Sequence, residues 1–253
     1  MSRQHCTWAE WADIFRERSD RPLPPLEVDR DYSELPDSLA RSLAIFQLGE
    51  SGGGTVISQA SRSGLPNLDK HYGEAMAWFV AEEHRHANLL AMCVRLLGGE
   101  LIKDNWTAKL FVFGRRLIGL RLKVIVLLAA EVVGLVYYNL LARNLKPCSL
   151  RTRLLEIVED ERSHLYFHCD FLRSQVTNRF KKAVFVATWR IVIGCASVVV
   201  AFDHRHALRD LGIEYKTVFE RWWNFARLAE ALVVSDSPED CAKLTIQAFV
   251  PRT

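Results

Sequence analysis

The sequence lacks the features that mark most secreted, nucleic-acid-binding and β-rich proteins. Its six cysteines, Cys6, Cys93, Cys148, Cys169, Cys195 and Cys241, form no Cys-x-x-Cys pair, and Met1 to His5 begins no apolar stretch followed by a cleavage site. Widely spaced cysteines without an export signal suit reduced thiols in a cytosol, so the expected location is cytoplasmic. Charge of one sign is also lacking. The formal net charge is +3, and Lys and Arg are scattered along the chain. A nucleic-acid binder concentrates basic residues in a patch or stripe, so no nucleic-acid partner is expected. No alternating apolar run is framed by hairpin turns, which removes the usual signals for strands.

What remains is apolar and helical. A chain of 253 residues that is 49% hydrophobic can bury a large core, and its length suits a single domain over 1–253. Thr7-Trp8-Ala9-Glu10 has the form of a capping box and starts a short, peripheral helix to about Arg18, which the run Arg21-Pro22-Leu23-Pro24-Pro25 ends. From Pro36 to about Ala60 the apolar spacing is loosely helical, with Asp37 and Ser38 as N-cap candidates. Gly49 and Gly52-Gly53-Gly54 call for either a bend or a close backbone approach around Glu50.

Further helices are expected over about Leu68–Leu97, stopped by Gly98-Gly99, and over an apolar stretch to about Leu145, stopped by Lys146-Pro147. A connecting helix or broken crossover is expected over Trp106–Leu122. The pattern continues with Ser149–Gln175, Lys182–Phe202, Glu214–Val234 and Pro238–Phe249. The fold class is therefore all-α, with a four-helix core over 36–175 and appended helices over 182–253. Val124–Ala142 and Ala183–Phe202 approach the length and apolarity of membrane spans. Two fully buried helices are the preferred reading, because a glutamate such as Glu131 inside a bilayer would need a partner. Peripheral membrane contact and a homodimer stay open as alternatives.

Two Glu-x-x-His motifs carry the chemistry: Glu83-His84-Arg85-His86 and Glu161-Arg162-Ser163-His164. Residues three apart on a helix lie about 60° apart around it, so each pair projects from one face and can grip one metal ion. Each motif is preceded by an isolated glutamate in apolar surroundings, Glu50 by 33 positions and Glu131 by 30. One glutamate from each of two helices and one Glu-x-x-His from each of two others is the ligand set of di-iron and di-manganese carboxylate bundles. The 45 positions from His86 to Glu131 leave room for the crossover that this arrangement needs. Four carboxylates and two imidazoles suit iron or manganese better than a closed zinc site. The expected cofactor is thus two iron ions, with a manganese–iron pair as the variant, held by Glu50, Glu83, His86, Glu131, Glu161 and His164.

Several neighbours are secondary candidates. His168, one turn beyond His164, is a candidate seventh ligand or a donor lining the site. Glu82 and Asp160 are expected to pair with Arg85, Arg162 or a ligand histidine. Tyr138 is read as a core tyrosine near the site, and Arg190 as half of an ion pair. Asp203-His204-Arg205-His206 is read as a basic helix end that favours the helix dipole rather than as a metal site. No catalytic residue beyond the ligands is assigned.

At the motif residues the sequence resembles the ferritin-like di-iron oxidase superfamily, with its nearest local likeness to the acyl-carrier-protein desaturases. Glu82-Glu83-His84-Arg85-His86 is similar to that family's Glu-Glu-Asn-Arg-His run, with His84 in place of Asn, and Asp160-Glu161-Arg162-Ser163-His164 to its Asp-Glu-Lys-Arg-His run. The resemblance covers about Leu39 to Gln175. It implies a ferritin-like four-helix bundle and an iron-dependent oxidase or oxygenase that takes dioxygen, an electron donor and a small-molecule or acyl substrate. Where the desaturases carry a threonine one turn after the third-helix glutamate, this chain has Gly134. Aryl-amine N-oxygenation is the nearest enzymatic alternative, and some amine oxygenases of the superfamily have an additional histidine. A non-catalytic metal-binding or membrane-associated helical protein is the alternative of another class.

Overall fold

The computed structural model describes residues 6–23, 32–52, 54–106 and 119–249, and every regular element among them is helical. In chain order these are α1 (Trp8–Ser19), α2 (Asp37–Glu50), α3 (Gly54–Ser61), α4 (Lys70–Leu96), α5 (Leu120–Asn144), α6 (Ser149–Gln175), α7 (Arg179–Asp203), α8 (Arg205–Asp210), α9 (Tyr215–Val234) and α10 (Pro238–Phe249). Most of the crossover expected over Trp106–Leu122 lies outside the described residues, as does the end of the proline-rich run.

Local chemistry accounts for the ends of these helices. Thr7 and Glu10 form the expected capping box on α1, each accepting a backbone N–H of the other at 3.2 and 2.6 Å. Side chains of Asp69, Cys148 and Asn178 cap α4, α6 and α7. After α4 the chain turns through Gly98 at φ +70°, and a Cβ on Gly99 would come within 2.6 Å of the Ala40 side chain of α2. The glycine pair therefore both ends the helix and lets α4 approach α2 closely. The segment read as one helix from Pro36 to Ala60 is instead two, the first ending at Glu50 and the second starting at Gly54. A break between the two helices is thus present, and at Gly49 no close backbone approach is, since nothing lies within 4 Å of a Cβ there. Ser38 does not cap α2; its hydroxyl donates to Asp210 at 2.8 Å, and Pro36 occupies the N-cap position.

Four helices surround the interior. α2 packs on α4, α4 meets α6, and α6 packs along α5, to which a four-residue connection joins it. Aromatic contacts close the ring between α2 and α5, where Phe46 lies 4.9 Å from Tyr137 and 5.0 Å from Tyr138, centroid to centroid. The later helices are part of the same core: α9 packs on α5 and α6, and its Trp222 indole donates to the Val133 carbonyl at 3.2 Å.

Two expectations need correction. α1 is not peripheral. Trp11 and Phe15, one turn apart, are buried against α4 and α6, and the Phe15 ring lies 5.5 Å from that of His164. The two apolar helices are also not both buried. In α5 83% of the most apolar 18-residue window is buried, against 33% in α7. α7 uses one face to pack on α5 and α9, while Phe180, Val184, Ile191, Val198 and Phe202 stay exposed on another, because no described element covers that side.

Candidate metal centre

The helical period that placed each Glu and His of a motif on one face now aims both motifs at the same point. α4 supplies Glu83 and His86, and α6 supplies Glu161, His164 and His168. α2 contributes Glu50 from its last residue, and α5 contributes Glu131 from its middle. Donor atoms of Glu83, His86, Glu161 and His164 all lie within 4.8 Å of one another. His164 Nδ1 is 3.1 Å from Glu83, 3.2 Å from Glu161 and 3.5 Å from Glu131. His86 Nδ1 is 3.3 Å from Glu161 and 3.7 Å from Glu83. Glu50 lines the same cavity as Glu83, Glu131 and Glu161 and accepts the Tyr138 hydroxyl at 2.8 Å. All six expected ligands thus come together.

Outside this cluster the opposite edge of each imidazole meets a second carboxylate. His86 Nε2 is 3.3 Å from Asp160, and His164 Nε2 is 2.9 Å from Glu82. A ring nitrogen that donates outward leaves the other nitrogen unprotonated and turned inward, the form that binds a metal. Both carboxylates are tied to basic residues. Arg21 reaches Asp160 at 2.9 Å and Glu82 at 3.9 Å, Arg18 reaches Asp160 at 3.6 Å, and Arg85 pairs with Glu156 and lies 3.8 Å from Asp160. The expected partner Arg162 pairs with Glu159 instead. Arg18 and Arg21 were not anticipated, because sequence spacing cannot show that α1 folds over α4 and α6.

The electrostatics of the inner cluster are adverse for protein atoms alone. Burial, with the charges of Glu83 and Glu161, pushes the Glu50 carboxyl well above the usual range. Burial and the charge of Glu131 likewise raise Glu83 and Glu161. His86 and His164 are held well above the ordinary imidazole value: burial opposes this, but the hydrogen bond to Asp160 and the Glu161 carboxylate 3.3 Å from Nδ1 outweigh it for His86, as the charge of Glu161 does for His164. His168 is driven down to about 3 by burial and the neighbouring His164. Its Nε2 lies 3.4 Å from Glu131, yet neither ring nitrogen has a hydrogen-bond partner. Glu83 Oε1 and His86 Nδ1 are also buried without one.

Buried polar atoms normally find partners, because leaving one unpaired costs about 1–3 kcal/mol. Here the unpaired atoms converge, and they are oxygen and imidazole donors. A divalent cation would satisfy them and reverse the repulsion among the carboxylates, so the residues fit a metal ion. The group Glu82, His86 and Asp160 also comes within ligand distance. It shares His86 with the inner cluster, and its carboxylates are already engaged by arginines and imidazole N–H groups, so it supports the ligands rather than forming a separate site.

A cavity of about 130 Å³ adjoins the cluster. Glu50, Glu83, Glu131 and Glu161 line one part of it, and its walls are apolar, including Ile45, Phe79, Val80, Leu127 and Val133. Gly134 faces it as well, and a Cβ there would touch the Tyr138 ring at 3.4 Å. His204 also lines this cavity and is not a dipole-paired cation. Burial drives its imidazole down to about 4, and Ser42 Oγ bonds its Nδ1 at 2.8 Å. Arg190 pairs through Nε and Nη2, one edge of its guanidinium, with both carboxylate oxygens of Glu230 at 2.8 Å. Comparison of the chain with protein-family models, with curated proteins and with solved structures yields no match.

Proposed function

We propose that the chain is a ferritin-like di-iron oxidoreductase that uses dioxygen, with electrons from an external donor, to oxidise an apolar organic substrate. The observation that carries this reading is the convergence of the Glu and His of both motifs, with Glu131 and His168 in contact, several of their atoms unpaired, and Glu50 beside them at the wall of an apolar cavity. Glu83, His86, Glu161 and His164 would hold the ions, with Glu50 and Glu131 completing the set. A bound iron pair supplies the electron transfer to dioxygen that no side chain of this chain can perform.

The protein's own part is positional. Asp160 and Glu82 accept the outer N–H groups of His86 and His164 and so keep both Nδ1 atoms turned inward. Tyr138 donates to Glu50 and holds that carboxylate at the wall of the cavity. Ile45, Val80, Leu127 and Val133 exclude water from the space where a substrate would sit, which strengthens each electrostatic contact there.

A second reading, N-oxygenation of an aryl amine, draws support from His168. It lies next to Glu131 with both nitrogens unpaired, as an additional ligand would. Elemental analysis tests the metal claim: the parent is expected to bind about two irons per chain and Glu83→Ala markedly less. Fewer than one iron after reconstitution, unchanged by the substitution, would sink it. Oxygen uptake by the reduced protein then tests redox activity. Turnover of acyl thioesters against aryl amines separates the two substrate readings.

A further inference from the structure

The cavity that adjoins the carboxylates has a second polar feature on α7 and α2, remote along the chain from the motifs. The His204 ring is only 3% exposed, stacks against Phe46 at a centroid distance of 4.6 Å, and lines the cavity. Its Nδ1 is fixed by Ser42, whose hydroxyl is also 2.5 Å from the Tyr137 hydroxyl. Ser42 lies eight residues before Glu50 on α2, about 12 Å along the axis, and Tyr137 six residues after Glu131 on α5, about 9 Å. Two helices therefore agree that His204 marks the end of the cavity away from the carboxylates. No lysine or arginine is among the described residues that line the space between.

Size restricts the occupant. An apolar cavity of about 150 Å³ is filled by one benzene molecule. The present cavity is 130 Å³ before a metal ion takes any share of it. A long acyl chain exceeds that volume and would have to lie largely outside the cavity, and an anionic head group would meet no lysine or arginine among the described residues that line it.

Resting on the di-iron reading above, we propose that the substrate is a compact, neutral molecule of about the size of a single six-membered ring, and that His204 is its specificity determinant, hydrogen-bonding one polar group at the end remote from the carboxylates. Ser42, backed by Tyr137, holds the ring so that its Nε2 edge remains for the ligand. Neutral imidazole offers one N–H and one acceptor nitrogen. The tautomer that Ser42 selects therefore sets whether the substrate group accepts or donates.

Calorimetric titration of the iron-loaded chain, its metal content counted beforehand, tests this with three probes: cyclopentanol, its near-isostere methylcyclopentane, and dodecanoate. Cyclopentanol is expected to bind about tenfold more tightly than methylcyclopentane, as one net hydrogen bond provides, and dodecanoate not to bind. In His204→Leu the alcohol should lose its advantage while the hydrocarbon still binds. Should that variant fail to fold, Ser42→Ala replaces it and should narrow the preference at least threefold. Dodecanoate binding more tightly than cyclopentanol, or an alcohol preference unchanged in whichever variant folds, overturns the proposal. A chain that binds no iron yet keeps the alcohol preference would refute the di-iron reading and leave this one standing.

Discussion

Two buried polar groups share the interior of this protein and are built on opposite terms. Ser42, Tyr137 and His204 are tied to one another: Ser42 bonds both of the others, and burial keeps the histidine neutral. The seven-residue cluster of Glu50, Glu83, His86, Glu131, Glu161, His164 and His168 is open. It gathers like charges in a dry space and leaves buried nitrogen and oxygen atoms unpaired. A satisfied network can be retained for stability and shape alone, whereas a frustrated one persists only where something outside the protein's own atoms completes it. This difference, more than the motifs, marks the second group as the candidate metal site.

Metal removal should break the comparison most visibly. Loading the chain with iron at about a hundredfold excess over the dissociation constant should stabilise it by about 2.7 kcal/mol per site, read as a calorimetric melting temperature that falls on chelation. Addition of chelator without change in melting temperature would mean that the open cluster needs no ion. Next in size is Glu161→Gln, which should change sign with metal. In the metal-free chain it relieves the repulsion with the facing Glu131 and should raise the melting temperature, while in iron-loaded samples it should lower metal content and melting temperature. Destabilisation of both forms would show that the carboxylates are already satisfied.

The pH dependence sharpens the same contrast. Folded values of Glu50, Glu83 and Glu161 lie above their reference of 4.5, so the folded chain holds protons that the unfolded chain releases. Stability of the metal-free protein should therefore be fullest below pH 4.5 as far as these groups act, and be lost as pH rises through the raised values, by about 1.4 kcal/mol for each tenfold gain in a carboxyl's proton affinity on folding. Asp160 acts oppositely. Its carboxyl is held down to about 2, burial being overcome by the hydrogen bond with His86 and by Arg21, so its contribution is present above pH 3.8 and lost as pH falls toward 2. Urea unfolding of metal-free parent and Asp160→Asn across this range separates the two. The smallest effect belongs to the closed group: Tyr137→Phe should cost about 1 kcal/mol in denaturant unfolding and leave iron content unchanged.

Much of this was legible in the residues. The helix over Ser149–Gln175 has the expected bounds, and the Glu-x-x-His spacing put both members of each motif on one face because 3.6 residues make a turn. Glu50 and Glu131 were readable as isolated acids among apolar neighbours. α5 and α7, by contrast, share a length of 25 residues and a mean hydropathy of 2.1 in their most apolar 18-residue windows, yet one window is mostly buried and only a third of the other is. Composition reports the cost of exposing a helix to water and not whether another helix covers it. α1 carried a readable signal, Trp8, Trp11 and Phe15 at helical spacing, which its short length and the proline run after it concealed.

The sequence by itself determined that the chain is helical, where most helices start and stop, and which acids and histidines face together on each helix. These follow from periods and caps, which act over a few residues. Tertiary structure decided that both motif faces meet, that Arg18 and Arg21 reach Asp160, and that His204 lies beside Ser42 and Tyr137 at the wall of a cavity shared with the carboxylates. Those juxtapositions depend on how helices stack around a common core, and contacts between residues many tens of positions apart leave no local pattern to read.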